Sequence, residues 1–176
     1  MSKMLSEIIR SVETDLSKKV KNSDMSNSKS NRKLQQIKCK KRVRERGEVF
    51  TNSREVKAMC DLIPNNIWDN IDSTFLEPTC GNGNFLVEIL ERKLNLCKEP
   101  KDITRALKNI YAIDIMQDNV DESRKRLIEL CSAKCVEFTT DYSQIIDVIA
   151  ECSEILQNNV ICGDSLEIMK NWEKGE

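Results

Sequence analysis

The sequence predicts an α/β fold built on a parallel sheet, on three observations. Strand-like and helix-like patterns alternate from Gly47 onward, a Gly-x-Gly turn joins the first strand to the helix after it, and the three strands run out into the acids Glu77, Asp114 and Asp164. Parallel strands need long crossovers, and a helix is the usual one. No repeat of fixed period appears.

The elements follow in order. Met4, Leu5, Ile8, Ile9, Val12 and Leu16 recur at helical spacing and predict a short amphipathic helix that docks on the core or on another chain. From Lys18 to Arg46 there are twelve Lys and Arg against only Asp24 and Glu45. The centre of that stretch, VKNSDMSNSKSNRK, has almost nothing to bury and reads as a flexible linker. KLQQIKCKKRVRERGE then packs basic residues onto a helix end, suited either to polyanions or to a solvated tail. Residues 1–46 thus form a helix and basic arm, and residues 47–176 form the domain proper.

Within that domain, Ser53 can cap a helix through REVKAMCDLI, with Val56, Met59, Cys60 and Ile63 on one face and a stop at Pro64 and the Asn65-Asn66 turn. STFLEP reads as a short buried strand. Phe85 to about Leu96 is a helix with Phe85, Leu86, Ile89, Leu90 and Leu94 inward. NIYAIDI is the second strand. QDNVDESRKRLIELCSAK is a helix with Val120, Leu127 and Leu130 inward and Arg124, Lys125 and Arg126 exposed. DYSQIIDVIAECSEIL is a further helix, and NVICGD the third strand.

Composition limits the chemistry. With 176 residues, 39% hydrophobic and 32% charged, one ordinary core is expected. No apolar run approaches the roughly 20 residues of a membrane span, and MSKMLSEIIRSVETDLSKK carries acids and hydroxyls where a signal peptide is apolar. A cytoplasmic protein without membrane contact is the expectation. The eight cysteines include no CxxC pair and there is no histidine, so zinc has little to bind and Ser-His-Asp or Cys-His catalysis has no base. The thiols are expected to be reduced and to serve as small buried hydrophobes.

Ligands of open parallel sheets bind at the carboxyl ends of the strands. Each terminal acid alone could be a helix cap or a solvated end. Together, beside the turn, Glu77, Asp114 and Asp164 make an acceptor surface that repels phosphates and suits hydroxyls, amines and a cationic ligand. Gly81 and Gly83 let the backbone approach that ligand closely. A dinucleotide site fits less well: CGNGNF has two glycines, Leu86 stands where the third would be, and Asp114 lies well beyond the usual spacing of about 20 residues. No GxxxxGK[ST] occurs.

GEVFT (47–51), FLEPTCGNGNFL (75–86), NIYAIDI (109–115) and NVICGDSL (159–166) resemble the S-adenosylmethionine-binding motifs of the N6-adenine DNA methyltransferases of restriction-modification systems. They follow that family's γ order, cofactor motifs first. Its usual FLEPACGTGNFL differs here only at Thr79 and Asn82. The resemblance covers about residues 47–172 and implies a Rossmann-like methyltransferase fold, here the first half of a doubly wound, mostly parallel sheet.

It also implies roles. Thr51 resembles the contact to the cofactor's methionine carboxylate, and Glu77, followed by Pro78, the acid near its amino group. Gly81 and Gly83 form the close-approach turn, Asp114 accepts from the ribose hydroxyls, and Ile115 lies against the adenine ring. Asp164 accepts from the adenine amino group, with Leu166 as an apolar wall. The implied cofactor is S-adenosyl-L-methionine and the implied partner of the complete enzyme is double-stranded DNA with an adenine target.

The family's Asn/Asp-Pro-Pro-Tyr/Phe motif, which holds the flipped base, has no counterpart, because the sequence contains no Pro-Pro pair. The expectation is therefore a cofactor-binding portion that does not methylate DNA unaided. It could be a fragment of an interrupted gene, half of a split enzyme completed by a second polypeptide, a remnant kept for binding, or a truncation. An open strand edge along an apolar face is expected where the next strand would pair.

Overall fold

The computed structural model describes residues 37–174. The helix expected over Met4 to Leu16 and the arm before residue 37 lie outside the described residues.

Helix α1 (Lys40–Arg46) ends at Gly47, whose φ of 66° is left-handed and stops the helix at no steric cost. Helix α2 (Ser53–Cys60) is capped by Asn52, one residue before the expected Ser53: its side chain accepts from the Arg54 N–H. Val56 and Cys60, one turn apart, are buried. Met59, expected beside them, is 53% exposed because it stands ~100° round the helix from Cys60. Helix α2 also stops before Ile63, and Asn65-Asn66 opens a short helix, α3 (Asn65–Trp68), after Pro64 rather than making a turn.

Strand β1 (Phe75–Glu77) leads through the glycine turn to α4 (Asn84–Leu94). A helix unread in the sequence follows, α5 (Pro100–Lys108), with proline at its start and Ile103, Ala106 and Leu107 buried. Then come β2 (Ile110–Asp114), α6 (Gln117–Phe138), α7 (Tyr142–Asn159), β3 (Val160–Cys162) and α8 (Ser165–Lys174). Asp141 caps α7, its carboxylate accepting from the Ser143 and Gln144 N–H groups.

The three strands are parallel in the order β1-β2-β3, with Phe75 opposite Ile110 and Ala112 opposite Val160. This is the expected α/β architecture: a parallel sheet flanked by helices. Side chains alternate between its faces. Ile110, Ala112 and Val160 enter a core with Leu86, Leu90, Leu107, Leu127, Ile128 and Ile149. On the opposite face Ile113 is fully buried, but Leu76 and Tyr111 remain exposed, and β1 stands at the sheet edge.

Two charged residues depart from the expected helix pattern. Arg124 and Arg126 were expected on a solvated face of α6, but both reach back to carbonyls. Arg124 donates to Val160 O and Gln157 O, and Arg126 to Asn82 O and Asn84 Oδ1. Their long stems let the guanidinium groups fasten the end of α7, the start of β3 and the glycine turn with the start of α4, which the helix backbone cannot reach. Lys125 is exposed as expected. Among the described residues, no helix is long and apolar enough to cross a membrane.

Candidate functional site

A crevice of about 470 Å³ opens at the carboxyl ends of the strands, within the range typical of small-molecule sites. The predicted residues Pro78, Gly81, Asp114, Ile115, Asp164 and Leu166 all line it. Three strand ends, far apart in sequence, contribute because a parallel sheet delivers every carboxyl end to the same edge.

Asp114 ties these parts together. It ends β2, and its carboxylate accepts from the Gly81 N–H at 2.8 Å, the Met116 N–H at 2.8 Å and Asn119 Nδ2 at 3.2 Å. One side chain thereby positions the glycine turn, the start of α6 and the crevice wall. Gly81 needs its φ of 52°, and a Cβ there would meet the Phe50 ring at 3.1 Å. Phe50 is buried beneath the turn, with the Lys38 ammonium 5.5 Å from its ring centre.

Gly83 differs in kind. The sequence reading assigns its missing side chain to ligand space, but a Cβ there would lie 2.7 Å from Ser123 Oγ and 3.2 Å from Ser123 Cα. The space belongs to α6, which packs closely on the N-terminus of α4. Asp164 caps α8, its Oδ1 accepting from the Leu166 N–H at 2.9 Å and from the Glu167 N–H at 3.4 Å. The cap reading and the acceptor reading of that residue are compatible, because a carboxylate has a second oxygen. Ile115 is 49% exposed and Leu166 65%, leaving two apolar side chains at the crevice.

Thr51, Glu77 and Gly83 are not among the lining residues. The Thr51 carbonyl accepts from Asn84 Nδ2 at 2.7 Å, which joins the GEVFT segment to the start of α4. Glu77 Oε1 accepts from the Thr79 N–H at 3.3 Å and Thr79 Oγ1 at 3.4 Å. Within the turn, burial pushes the Cys80 thiol up to about 12, aided by the negative charge of Asp114, so it stays protonated.

Sequence reading missed Glu48, Asn119 and Arg46, which also line the crevice. Glu48 is a partly buried acid inside GEVFT. Its Oε1 accepts from Asn119 Nδ2 at 2.8 Å, and the same amide nitrogen donates to Asp114. The arm's cations are partly committed here: Arg42 binds Asp118 through two bonds of 2.8 and 2.9 Å, and Lys38 pairs with Glu122. Lys40, Lys41, Arg44 and Arg46 are exposed. Among the described residues, no group of side chains is arranged to hold a metal ion.

Comparison with known proteins finds similarity to the Type II methyltransferase M.VspI of Vibrio sp. (strain 343), at 37% identity over 84 residues. The match covers 47% of this chain and 17% of that protein. No protein-family model matches the chain, and no solved structure matches it.

Proposed function

We propose that this chain is the S-adenosylmethionine-binding portion of a site-specific DNA adenine-N6 methyltransferase of the restriction-modification kind. The observation that carries the reading is the crevice itself: a glycine turn, the acceptors Asp114 and Asp164, and the apolar Ile115 and Leu166, gathered at the strand ends of a parallel sheet. The partial match to a protein named as a Type II methyltransferase supports the same assignment.

The residues present fit that cofactor chemically. Carboxylates accept from a diol and an exocyclic amine, and a sulfonium is tolerated beside acids where a phosphate is not. On this reading Asp114 holds the ribose, Asp164 the adenine amino group, and Ile115 and Leu166 the two sides of the ring. Pro78, Gly81 and Gly83 shape the turn, while Thr51 and Glu77 serve the methionine carboxylate and ammonium. When bound, S-adenosylmethionine supplies an electrophilic methyl group for an adenine amine of double-stranded DNA. The residues of this chain bind and orient; the sequence holds no Pro-Pro pair of the kind that grips the target base. The exposed face around Leu76 and Tyr111, with β1 at its edge, suits a second polypeptide or segment that supplies that part.

Titration calorimetry of the 176-residue chain with S-adenosylmethionine tests the reading. Saturable binding is expected, and Asp114→Ala should abolish it while the chain still melts cooperatively. With adenine-containing DNA added, no methyl transfer is expected; robust transfer by this chain alone would overturn the division of labour.

A second reading, a non-catalytic module docking on DNA or on a methyltransferase or restriction subunit, is favoured by the exposed cations Lys40, Lys41, Arg44 and Arg46. It predicts DNA binding that weakens steeply with added salt, without cofactor binding.

A further inference from the structure

Glu48 is a carboxylate with one oxygen to spare. Its side chain is 10% exposed and lines the crevice, and Oε2 is buried without a hydrogen-bond partner. The partners it does have all address the other oxygen: Asn119 Nδ2 at 2.8 Å and Arg42 Nη1 at 3.4 Å. Arg42 is mainly occupied elsewhere, with its two short bonds to Asp118. A buried, unsatisfied carboxylate oxygen is costly, and native structures rarely keep one without a use.

Asp114 has the opposite problem. Its carboxylate offers about four acceptor positions. Gly81, Met116 and Asn119 already take three, so roughly one remains for a ligand. A ribose diol brings two O–H donors. Asn119 Nδ2 donates to both acids and so holds Glu48 Oε1 and Asp114 Oδ1 side by side in the same wall.

We propose that Glu48 Oε2 accepts one ribose hydroxyl of the bound nucleoside, so that Glu48 and Asp114 divide the diol between them, with Asn119 as the bridge that spaces them. This rests on the cofactor reading above. It assigns the acid of GEVFT to nucleoside recognition, and it accounts for the unpaired oxygen as an acceptor completed by the ligand.

The test is displacement of labelled S-adenosylmethionine from the 176-residue chain by adenosine, 2′-deoxyadenosine and 3′-deoxyadenosine. In the wild type, removal of either hydroxyl should weaken displacement by about tenfold or more, as expected for a hydrogen bond to a charged acceptor. In Glu48→Gln, one of the two penalties should shrink to within about threefold, and the other, belonging to Asp114, should persist. Ligand-free Glu48→Gln should melt close to the wild-type temperature, because the amide keeps an acceptor for Asn119 and gives up only the long 3.4 Å pairing with Arg42; a clear fall would make the residue structural and overturn the proposal. If the wild type binds S-adenosylmethionine but both penalties survive in Glu48→Gln, or neither exists in the wild type, the Glu48 assignment fails and the cofactor reading stands. If the wild type does not bind S-adenosylmethionine at all, both fall.

Discussion

At the scale of single residues, the glycine turn is shaped by two different demands. Gly81 lies over the Phe50 ring and donates its N–H to Asp114, so it serves the crevice. Gly83, with a φ of 83°, makes room for Ser123 of α6. Gly83→Ala combines a left-handed backbone penalty with an overlap against backbone as well as side chain, and should cost about 2–4 kcal/mol. Urea denaturation of Gly83→Ala, Ser123→Gly and the double variant separates the two parts. Ser123→Gly relieves the hydroxyl contact but also removes the bond from Ser123 Oγ to Gly81 O. The two changes should therefore couple by at least about 1 kcal/mol in the double variant. Simple additivity would show that the overlap is absorbed elsewhere.

Among the elements, α1 decides whether Glu48 is in place, because it is pinned across 76 residues of sequence by Arg42 on Asp118 at the start of α6. The Arg42 hydrogen bonds hold the Asp118 carboxyl below its ordinary value of 3.8. A depressed carboxyl contributes its stabilisation fully above the ordinary value and loses it as pH falls through the lowered one. Release of α1 should therefore begin only below about pH 3.8. Asp118→Asn should raise amide hydrogen exchange across residues 42–48 at neutral pH while shifting global stability by no more than about 1 kcal/mol, since Asp118 is half-exposed. Unchanged exchange there would mean that α1 is held by other contacts. The same geometry explains what was legible in the sequence. Strand-end acids could be read because parallel topology brings Asp114 and Asp164 to one edge whatever the details. Glu48 could not, since its burial comes from a long-range docking that no local pattern encodes. Helix α5 is hard to read because it has only nine residues and opens on Pro100 of the turn-like Lys98-Glu99-Pro100. Arg124 and Arg126 looked solvated because a 3.6-residue period records where a side chain starts and not where a guanidinium ends.

The whole molecule carries an imbalance of buried titratable groups that sets its response to alkali. Lys93 is 1% exposed; its ammonium donates to Ser73 O at 2.6 Å and lies 5.5 Å from the Phe75 ring centre. Burial lowers it from 10.5 to about 8. Between those values the unfolded chain holds a proton that the folded chain has released, so this group makes stability rise with pH. Five thiols act the other way: burial raises Cys80 to about 12, Cys97 and Cys135 to about 11, and also raises Cys60. Cys131 is raised too, first by its hydrogen bond with Cys152 and then by burial. From about pH 9 upward the unfolded thiols ionise while the folded ones stay protonated, and each group can remove up to roughly 1.4 kcal/mol per pH unit. Among the described residues one such amine opposes five such thiols, so the urea midpoint should climb slightly from pH 8 to 9 and then fall steeply toward pH 11. Lys93→Met should abolish the climb and leave the fall. Cys135→Ala, whatever cavity cost it carries at neutral pH, should make the fall shallower. A wild-type midpoint that stays level between pH 9 and 11 would mean that these thiols reach water in the folded state, and that the core around them is looser than its packing indicates.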